Sequence, residues 1–311
     1  MLIPCDVPQP RRKSNHHAFT LVELLVVIGI IAVLVGILLP TLGRARRSAR
    51  AVQCMSNIRQ LTMGAIQYYT DNKYKWSPYY DGGGTPGPPT MPGPNMFQIE
   101  WMSQVSKAQQ FNKCRLCPEA ADPNPTYPNT PGTNMAGAAF YCWGPNGRAM
   151  QYFDDTWKAG QPPKQLAGSY TWNGYCLRSD PSGNDGKLVG GGQAGDLKRL
   201  WTPPLKGIAE LPVISDGCWP TAWVKDTDGV PDSIYAPCGN PLNLNPGNGG
   251  NWARIVVARH NMAINIGFFD GHVAPIDLPD LWRLKWHKLW KQPSNATLAQ
   301  YRTDIISKYK K

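Results

Sequence analysis

The chain has 311 residues, 42% of them hydrophobic, enough for one anchored domain of generous size or two small ones. Glycine and proline supply 31 and 30 residues, which points to much irregular structure. The formal charge of +11 suits an anionic lipid or polysaccharide, but no nucleic-acid-binding motif accompanies it, so nucleic acid is set aside as a partner.

Residues 1–18 form a polar leader with Arg11, Arg12, Lys13, His16 and His17 just before an apolar run. Set against Asp6, the leader's three cations make a net +2, so +9 of the +11 belongs to residues 19–311. From Leu24 to Leu39 there is no charged or strongly polar side chain, and residues from about 21 to 40 are nearly long enough to cross a bilayer as a helix. A membrane anchor or a secretory signal is the ordinary reading. A secretory signal should end in a small-residue cleavage site, whereas Pro40 and the Arg-rich GRARRSAR follow this run. The exception within it is Glu23, an acidic residue of a kind that costs roughly 2.5 to 3.5 kcal/mol at mid-membrane and so needs a partner.

The basic leader, the small Ala18, the stretch Phe19-Thr20-Leu21-Val22-Glu23 and the apolar helix together resemble the N-terminus of type IV prepilins and type II secretion pseudopilins. The resemblance implies cleavage between Ala18 and Phe19 by prepilin peptidase and methylation of the new Phe19 amine. Counted from Phe19, Glu23 is the fifth residue and Pro40 the twenty-second, the positions where that family has Glu and Pro. Ala18 departs from the family's usual Gly but remains small. The implied partners are prepilin peptidase, other pseudopilin subunits and the inner-membrane machinery of a secretion system or pilus. The implied location is a single pass of the inner (cytoplasmic) membrane, leader cytoplasmic and C-terminal domain periplasmic. Charge alone does not set that orientation, because Arg44, Arg46, Arg47 and Arg50 flank the far end of the run. In a low-dielectric bundle, Glu23 would be neutralised by the Phe19 amine of an axially shifted neighbour, fixing register between subunits.

Residues 19–42 are thus the transmembrane and assembly helix, and residues 43–80 its amphipathic continuation. Ala51, Cys54, Ile58, Leu61, Ala65 and Tyr68 recur at spacings of three and four, predicting one helix from Thr20 to about Tyr74, roughly 80 Å long. Gly29, Gly36 and Gly43 recur every seven residues and either permit close helix packing or are merely tolerated. Residues 81–96 are a Gly/Pro-rich loop, and 97–279 an extracytoplasmic β-rich domain of short strands on long loops. Strand patterns are clearest at 169–176, 211–215, 254–258 and 264–269. The last pairs with 272–276 as a hairpin through Asp270-Gly271, with Gly271 free to take a positive φ. Ile264, Ile266 and Phe268 alternate and are expected to face the helix at Ile58 and Leu61, with His260 hydrogen-bonding near the Asp270-Gly271 turn. In the C-terminal tail, 280–311, Asp280 is read as capping a helix of residues 281–291 that Pro293 ends. Trp282, Trp286 and Trp290 would share one face, either packed on the protein's own sheet or presented to a subunit, lipid or glycan.

His260, nine residues, then Asp270-Gly271 resembles the "processing-associated" signature of a large family of pseudopilin-like bacterial proteins. Cys117-Pro118, Ser169-Tyr170 and Asp216-Gly217 fall in the order that family shows. The resemblance implies an architecture more than an activity.

Of eight cysteines, cleavage would remove Cys5. The other seven would face an oxidising compartment, with Cys54, on the helix's apolar stripe, as the natural odd thiol. Cys114 and Cys117 have metal-knuckle spacing, and a disulfide, reduced structural cysteines and zinc all stand as readings. Asp226, Asp228 and Asp232 surround a Gly turn and could gather calcium, though an EF-hand's final Glu is missing. No other cofactor is indicated. Catalytic sets can be assembled on paper from Cys218 with His260 or His272, or from Ser215, His260 and Asp270, but no nucleophile elbow, phosphate loop or His-Glu-x-x-His supports an enzyme. The expectation is an α+β, pilin-like subunit: a long N-terminal helix on a small antiparallel sheet with long irregular loops. The alternative is a membrane-tethered extracytoplasmic glycan- or lipid-binding module.

Overall fold

A computed structural model of the chain describes residues 21–76, 114–120, 150–152, 164–166, 168–177, 197–219, 221–232, 234–235 and 250–309. The chain divides into two compact units, Met1–Ser48 and Ala49–Lys311. A single 51-residue helix, α1 (Leu21–Asp71), contributes to both. Residues 21–50 are exposed on every face, as follows when apolar side chains encircle a helix instead of forming a stripe. Pro40 sits inside α1 without ending it, and the Thr41 hydroxyl donates to the Leu38 carbonyl at 2.8 Å.

Within the second unit, α1 buries Cys54, Asn57, Ile58, Leu61, Thr62, Gly64, Ala65 and Tyr69. The expected stripe is present, but its last ring is Tyr69, four residues beyond Ala65, while Tyr68 is only half-buried. The helix stops three residues short of the expected Tyr74. Lys73 and Tyr74 turn left-handed with φ of 57° and 61°, and the Tyr74 N–H reaches back to the Tyr69 carbonyl at 2.9 Å.

Strands β1 (Met150–Tyr152) and β2 (Lys164–Leu166) pair antiparallel by themselves. The main sheet comprises β3 (Tyr170–Asn173), β4 (Pro212–Asp216), β5 (Thr221–Ala222), β6 (Ala263–Phe268) and β7 (Val273–Asp277), in the order β5-β3-β4-β6-β7. It is mixed, where a purely antiparallel sheet was expected, because β5 runs parallel to β3. The chain reverses after β4, whose two edges are held by β3 and β6, so the returning strand joins the far side of β3 and runs in its direction.

The segment 254–258, expected to be a strand, is not one. A 3₁₀ turn spans Gly250–Arg254, and the N–H groups of Ile255 and Val256 bond the Trp252 carbonyl. Its apolar residues are buried without alternation, which fits a run surrounded by core on all sides.

The expected facing of β6 is reversed. Ile264, Ile266 and Phe268 pack with Trp252, Val256, Trp282 and Trp286 in one core, whereas Ile58, Leu61, Tyr69, Tyr170 and Trp172 form another. A Cβ on Gly267 would lie 2.0 Å from Thr62 Oγ1 and 3.0 Å from Ile58 Cγ2, so α1 rests on the face that carries Asn265 and Gly267. Because β6 is buried on both faces, alternation could not choose between them; the missing side chain of Gly267, which lets the helix backbone approach, does.

The helix expected over 281–291 is instead a 3₁₀ turn, Leu278–Arg283, that ends where Leu284 becomes extended (ψ 151°), with a further tight turn in which the Trp290 N–H bonds the His287 carbonyl at 3.0 Å. Trp282 stacks on Trp252 at 4.1 Å between centroids, and Trp286 and Trp290 meet the same ring edge-on at 5.8 and 6.0 Å. A regular helix would point three such rings along one stripe; here they converge around one indole, with His287 also fully buried. The true C-terminal helix is α2 (Asn295–Tyr309), whose first turn is capped by Ser294 Oγ accepting from the Thr297 N–H at 3.2 Å.

Candidate functional site

Four pieces of sequence singled out above meet at one buried point. Asp216 closes β4 with its side chain fully buried. Its Oδ1 accepts from Arg259 Nη1 at 3.1 Å and from the Cys54 thiol at 3.2 Å, while Oδ2 accepts from the Asn265 N–H at 2.8 Å and lies 3.3 Å from His260 Nε2. His260 Nε2 is also 3.5 Å from Cys117 Sγ. Cys54, Cys117, Asp216 and His260 each offer one ligand atom, and all four atoms lie within 4.8 Å of one another.

Local structure explains how each arrives. Cys54 stands on the buried stripe of α1. The 114–120 loop is tied down when Asn57 Nδ2 donates to the Leu116 carbonyl at 2.9 Å, and the Ser169 hydroxyl donates to the Ala120 carbonyl at 2.5 Å. Asn57 also donates to the Tyr170 hydroxyl at 3.2 Å, which in turn contacts Cys54 Sγ at 3.5 Å. Arg259 donates to the carbonyls of Ser169 at 2.6 Å and Gly217 at 3.1 Å, so its guanidinium is held between β3 and the end of β4. His260 is placed by a two-bond backbone bridge to Ala263 across the tight turn at Asn261 and Met262, whose φ values are 52° and 66°.

Electrostatics inside the cluster are strong. Burial alone would raise the Asp216 pKa, but the His260 charge and hydrogen bond, Arg259 and the Asn265 N–H hold it down at about 2. Burial opposes charge on His260, yet Asp216 and Cys117 push its pKa up to about 10. Burial raises the Cys54 thiol, and the nearby Cys117 and Asp216 raise it further. Cys117 goes the other way: burial is outweighed by hydrogen bonds from Cys54 and His260, which favour a thiolate. A thiolate beside an imidazolium and a carboxylate has the composition of a nucleophilic triad, but Cys117 is 0% exposed, so no acyl group can reach it.

Other candidate residues lie elsewhere. His260 does not serve the Asp270-Gly271 turn, because the two flank opposite ends of β6. His272 takes that part, with its N–H and Nδ1 at 3.1 and 2.5 Å from Asp270 Oδ1, and Gly271 has the expected positive φ, 90°. Cys114 and Cys117 are free thiols rather than a disulfide, as are Cys54 and Cys176, while Cys218 is disulfide-bonded. Cys5, Cys142 and Cys238 lie outside the described residues. Asp226 is 3.3 Å from His287 Nε2 and accepts from the Lys291 N–H at 3.0 Å, Asp228 packs beside Gly250, and Asp232 is exposed.

Reading the sequence missed Cys54, Arg259 and Asn57 as members of the cluster. The available signal was the set Cys117-Pro118, Ser169-Tyr170, Asp216-Gly217 and His260, every piece of which contributes to this one centre.

The other notable surface is the start of α1. Sixteen large apolar side chains from Leu21 to Leu42 are exposed, none by less than 43%. An 18-residue window of this helix reaches a mean hydropathy of 3.1 with nothing buried. Glu23 sits in its first turn. Residues 13–39 match the family model of the prokaryotic N-terminal methylation motif. The chain carries a prepilin-type signal. Ala18 and Phe19 lie within the match but outside the described residues, Glu23 lies within both, and Pro40 follows one residue after the match. The signal joins directly onto α1, so one apolar segment serves as motif and as exposed helix. The His260 to Gly271 signature falls outside the matched residues. Neither a curated protein nor a solved structure matches the chain.

Proposed function

We propose that this chain is a pseudopilin-like structural subunit. Prepilin peptidase cuts between Ala18 and Phe19 and methylates the Phe19 amine. The mature subunit then assembles through α1 into a type II secretion pseudopilus or a type IV pilus-like fibre. The observation that carries the reading is the methylation motif at residues 13–39, continuous with a helix whose apolar surface is exposed all round. Burying sixteen such side chains, at about 1.5 to 3 kcal/mol for each fully buried one, amounts to tens of kcal/mol, which a bilayer or a bundle of like helices supplies. Before assembly the helix spans the inner membrane once, with the second unit on the periplasmic side. In the fibre, Glu23 meets the Phe19 amine of a neighbour.

The glycan-binding alternative drew on the many tryptophans. Trp172, Trp252, Trp282 and Trp286 are at most 2% exposed, and Trp76 and Trp201 at most 5%, so these rings build cores instead of a sugar platform.

N-terminal mass spectrometry of protein from cells with and without prepilin peptidase tests the proposal. A methylated Phe19 start that disappears with the peptidase is expected. An unprocessed Met1 start in peptidase-competent cells, or cleavage beyond Leu39, refutes it.

A further inference from the structure

The geometry points to a closed structural site for a thiolate-preferring divalent cation, zinc foremost, built by Cys54, Cys117, Asp216 and His260. Four donors at roughly 2.0 to 2.3 Å from a tetrahedral centre stand roughly 3.3 to 3.8 Å from one another. The distances here are 3.2 Å from Cys54 Sγ to Asp216 Oδ1, 3.3 Å from His260 Nε2 to Asp216 Oδ2 and 3.5 Å from Cys117 Sγ to His260 Nε2, with every pair inside 4.8 Å. One donor atom from each of the four residues thus lies within 4.8 Å of the others, somewhat wider than a filled tetrahedron, and side-chain adjustments of about an ångström would close it around an ion.

Donor chemistry selects the ion. Two sulfurs and an imidazole suit zinc and disfavour calcium or magnesium, which take oxygen ligands. Asp216 Oδ1 accepts from Arg259 and from the Cys54 thiol, whose proton leaves when its sulfur binds a metal, and Oδ2 accepts from the Asn265 N–H, so each oxygen then has a lone pair for a cation. Arg259 holds the carboxylate in place, as outer-shell partners of metal ligands do. Charge also balances: two thiolates and a carboxylate are offset by a divalent ion and the buried guanidinium, so the filled centre is neutral in a place where net charge is costly. All four protein positions are taken and enclosed, the arrangement of a structural rather than a catalytic site. Its effect would be to tie α1, the 114–120 loop, the end of β4 and the entrance to β6 to one point. None of this depends on the chain entering a fibre.

Cobalt(II) is the probe. Full-length chain in detergent, reduced and stripped with chelator, is titrated with cobalt(II) and then zinc(II). The expected result is one cobalt per chain, with sulfur-to-cobalt charge-transfer absorption and the intense visible bands of tetrahedral coordination, both lost when one equivalent of zinc is added. Losing an outer-shell partner alone weakens metal sites by about 10- to 100-fold, so Cys54→Ser, Cys117→Ser and His260→Gln should each weaken binding by more than that. Cys114→Ser should leave it unchanged, although Cys114 belongs to the same Cys-x-x-Cys. Uptake below one equivalent by wild-type protein at micromolar cobalt overturns the site whatever the variants do. So does binding that survives in Cys117→Ser, binding abolished in a folded Cys114→Ser, or a Cys54–Cys117 disulfide found by peptide mapping of protein isolated without reductant.

Discussion

Gly267→Ala probes the seat of α1 on the sheet. The added Cβ would stand 2.0 Å from Thr62 Oγ1, 3.1 Å from Thr62 Cβ and 3.0 Å from Ile58 Cγ2. Thr62 and Ile58 are both 0% exposed, so neither can swing into solvent to make room. Overpacking of this kind costs about 1 to 3 kcal/mol, and alanine returns about 0.4 to 1 kcal/mol by restricting the unfolded chain, leaving a net loss of about 1.3 kcal/mol at the middle of both ranges. For a domain of this size that is a fall in melting temperature of roughly 3 to 5 °C. The measurement is thermal unfolding of full-length chain in detergent, followed by near-ultraviolet circular dichroism, where the buried tryptophans report on packing. Thr62→Ala should be mild alone, since Thr62 Oγ1 has no hydrogen-bond partner among the described residues, and it should recover much of the loss in the double variant because it removes the nearest atom. Strictly additive effects of the two substitutions, or an unchanged melting temperature for Gly267→Ala, would refute the placement of the helix on this face.

Further expectations concern the buried charges, the turn and the first helical turn. Asp216→Asn leaves the Arg259 guanidinium buried without its counter-ion and should cost about 3 to 5 kcal/mol in chelator-treated protein, read as a lower denaturant midpoint; a loss under 1 kcal/mol would contradict the ion pair. In the same metal-free protein, Asp216, whose pKa is depressed to about 2, stabilises fully above the ordinary carboxylate range, and this is lost as pH falls towards 2. His260, raised to about 10, stabilises fully below about 6.5, and this is lost as pH rises through 10, so pH-dependent melting should be flattened at both ends by Asp216→Asn. Gly271→Val forces a β-branched residue to a φ of 90° and should cost about 1 to 3 kcal/mol in the same unfolding assay, whereas an unchanged midpoint would argue against the tight turn. Glu23→Gln should leave the circular dichroism of the folded unit unaltered and reduce fibre incorporation, and normal incorporation at normal expression would count against pairing with the Phe19 amine.

What could be read from sequence divides along physical lines. Elements governed by local pattern were legible: the encircling apolar run of α1, its Cys54-Ile58-Leu61-Ala65 stripe, the core of β4 and the β6–β7 hairpin with Gly271 at its turn. The facing of β6 was not, because a strand buried on both sides gives alternation nothing to report, and the deciding feature was the absent side chain of Gly267. Trp282, Trp286 and Trp290 matched a helical spacing by chance; their rings gain more by converging on Trp252 than by lining a surface stripe. At the buried cluster, Cys117, Asp216 and His260 each stood in a noted sequence piece. Cys54 looked like a spare thiol because its partners are 162 residues away in one case, and no local window contains that information.

The cluster's wide separation in sequence also governs when the fold can close. Cys54 must wait for Asp216, 162 residues later, and Cys117 for His260, 143 residues later, so the centre is the product of several large loop closures. A chain delivered N-terminus first presents the stripe from Cys54 to Tyr69 long before β4 and β6 exist to cover it. During that interval the half-made molecule is exposed to wrong pairings, so its folding yield depends on how quickly the last fifty residues follow.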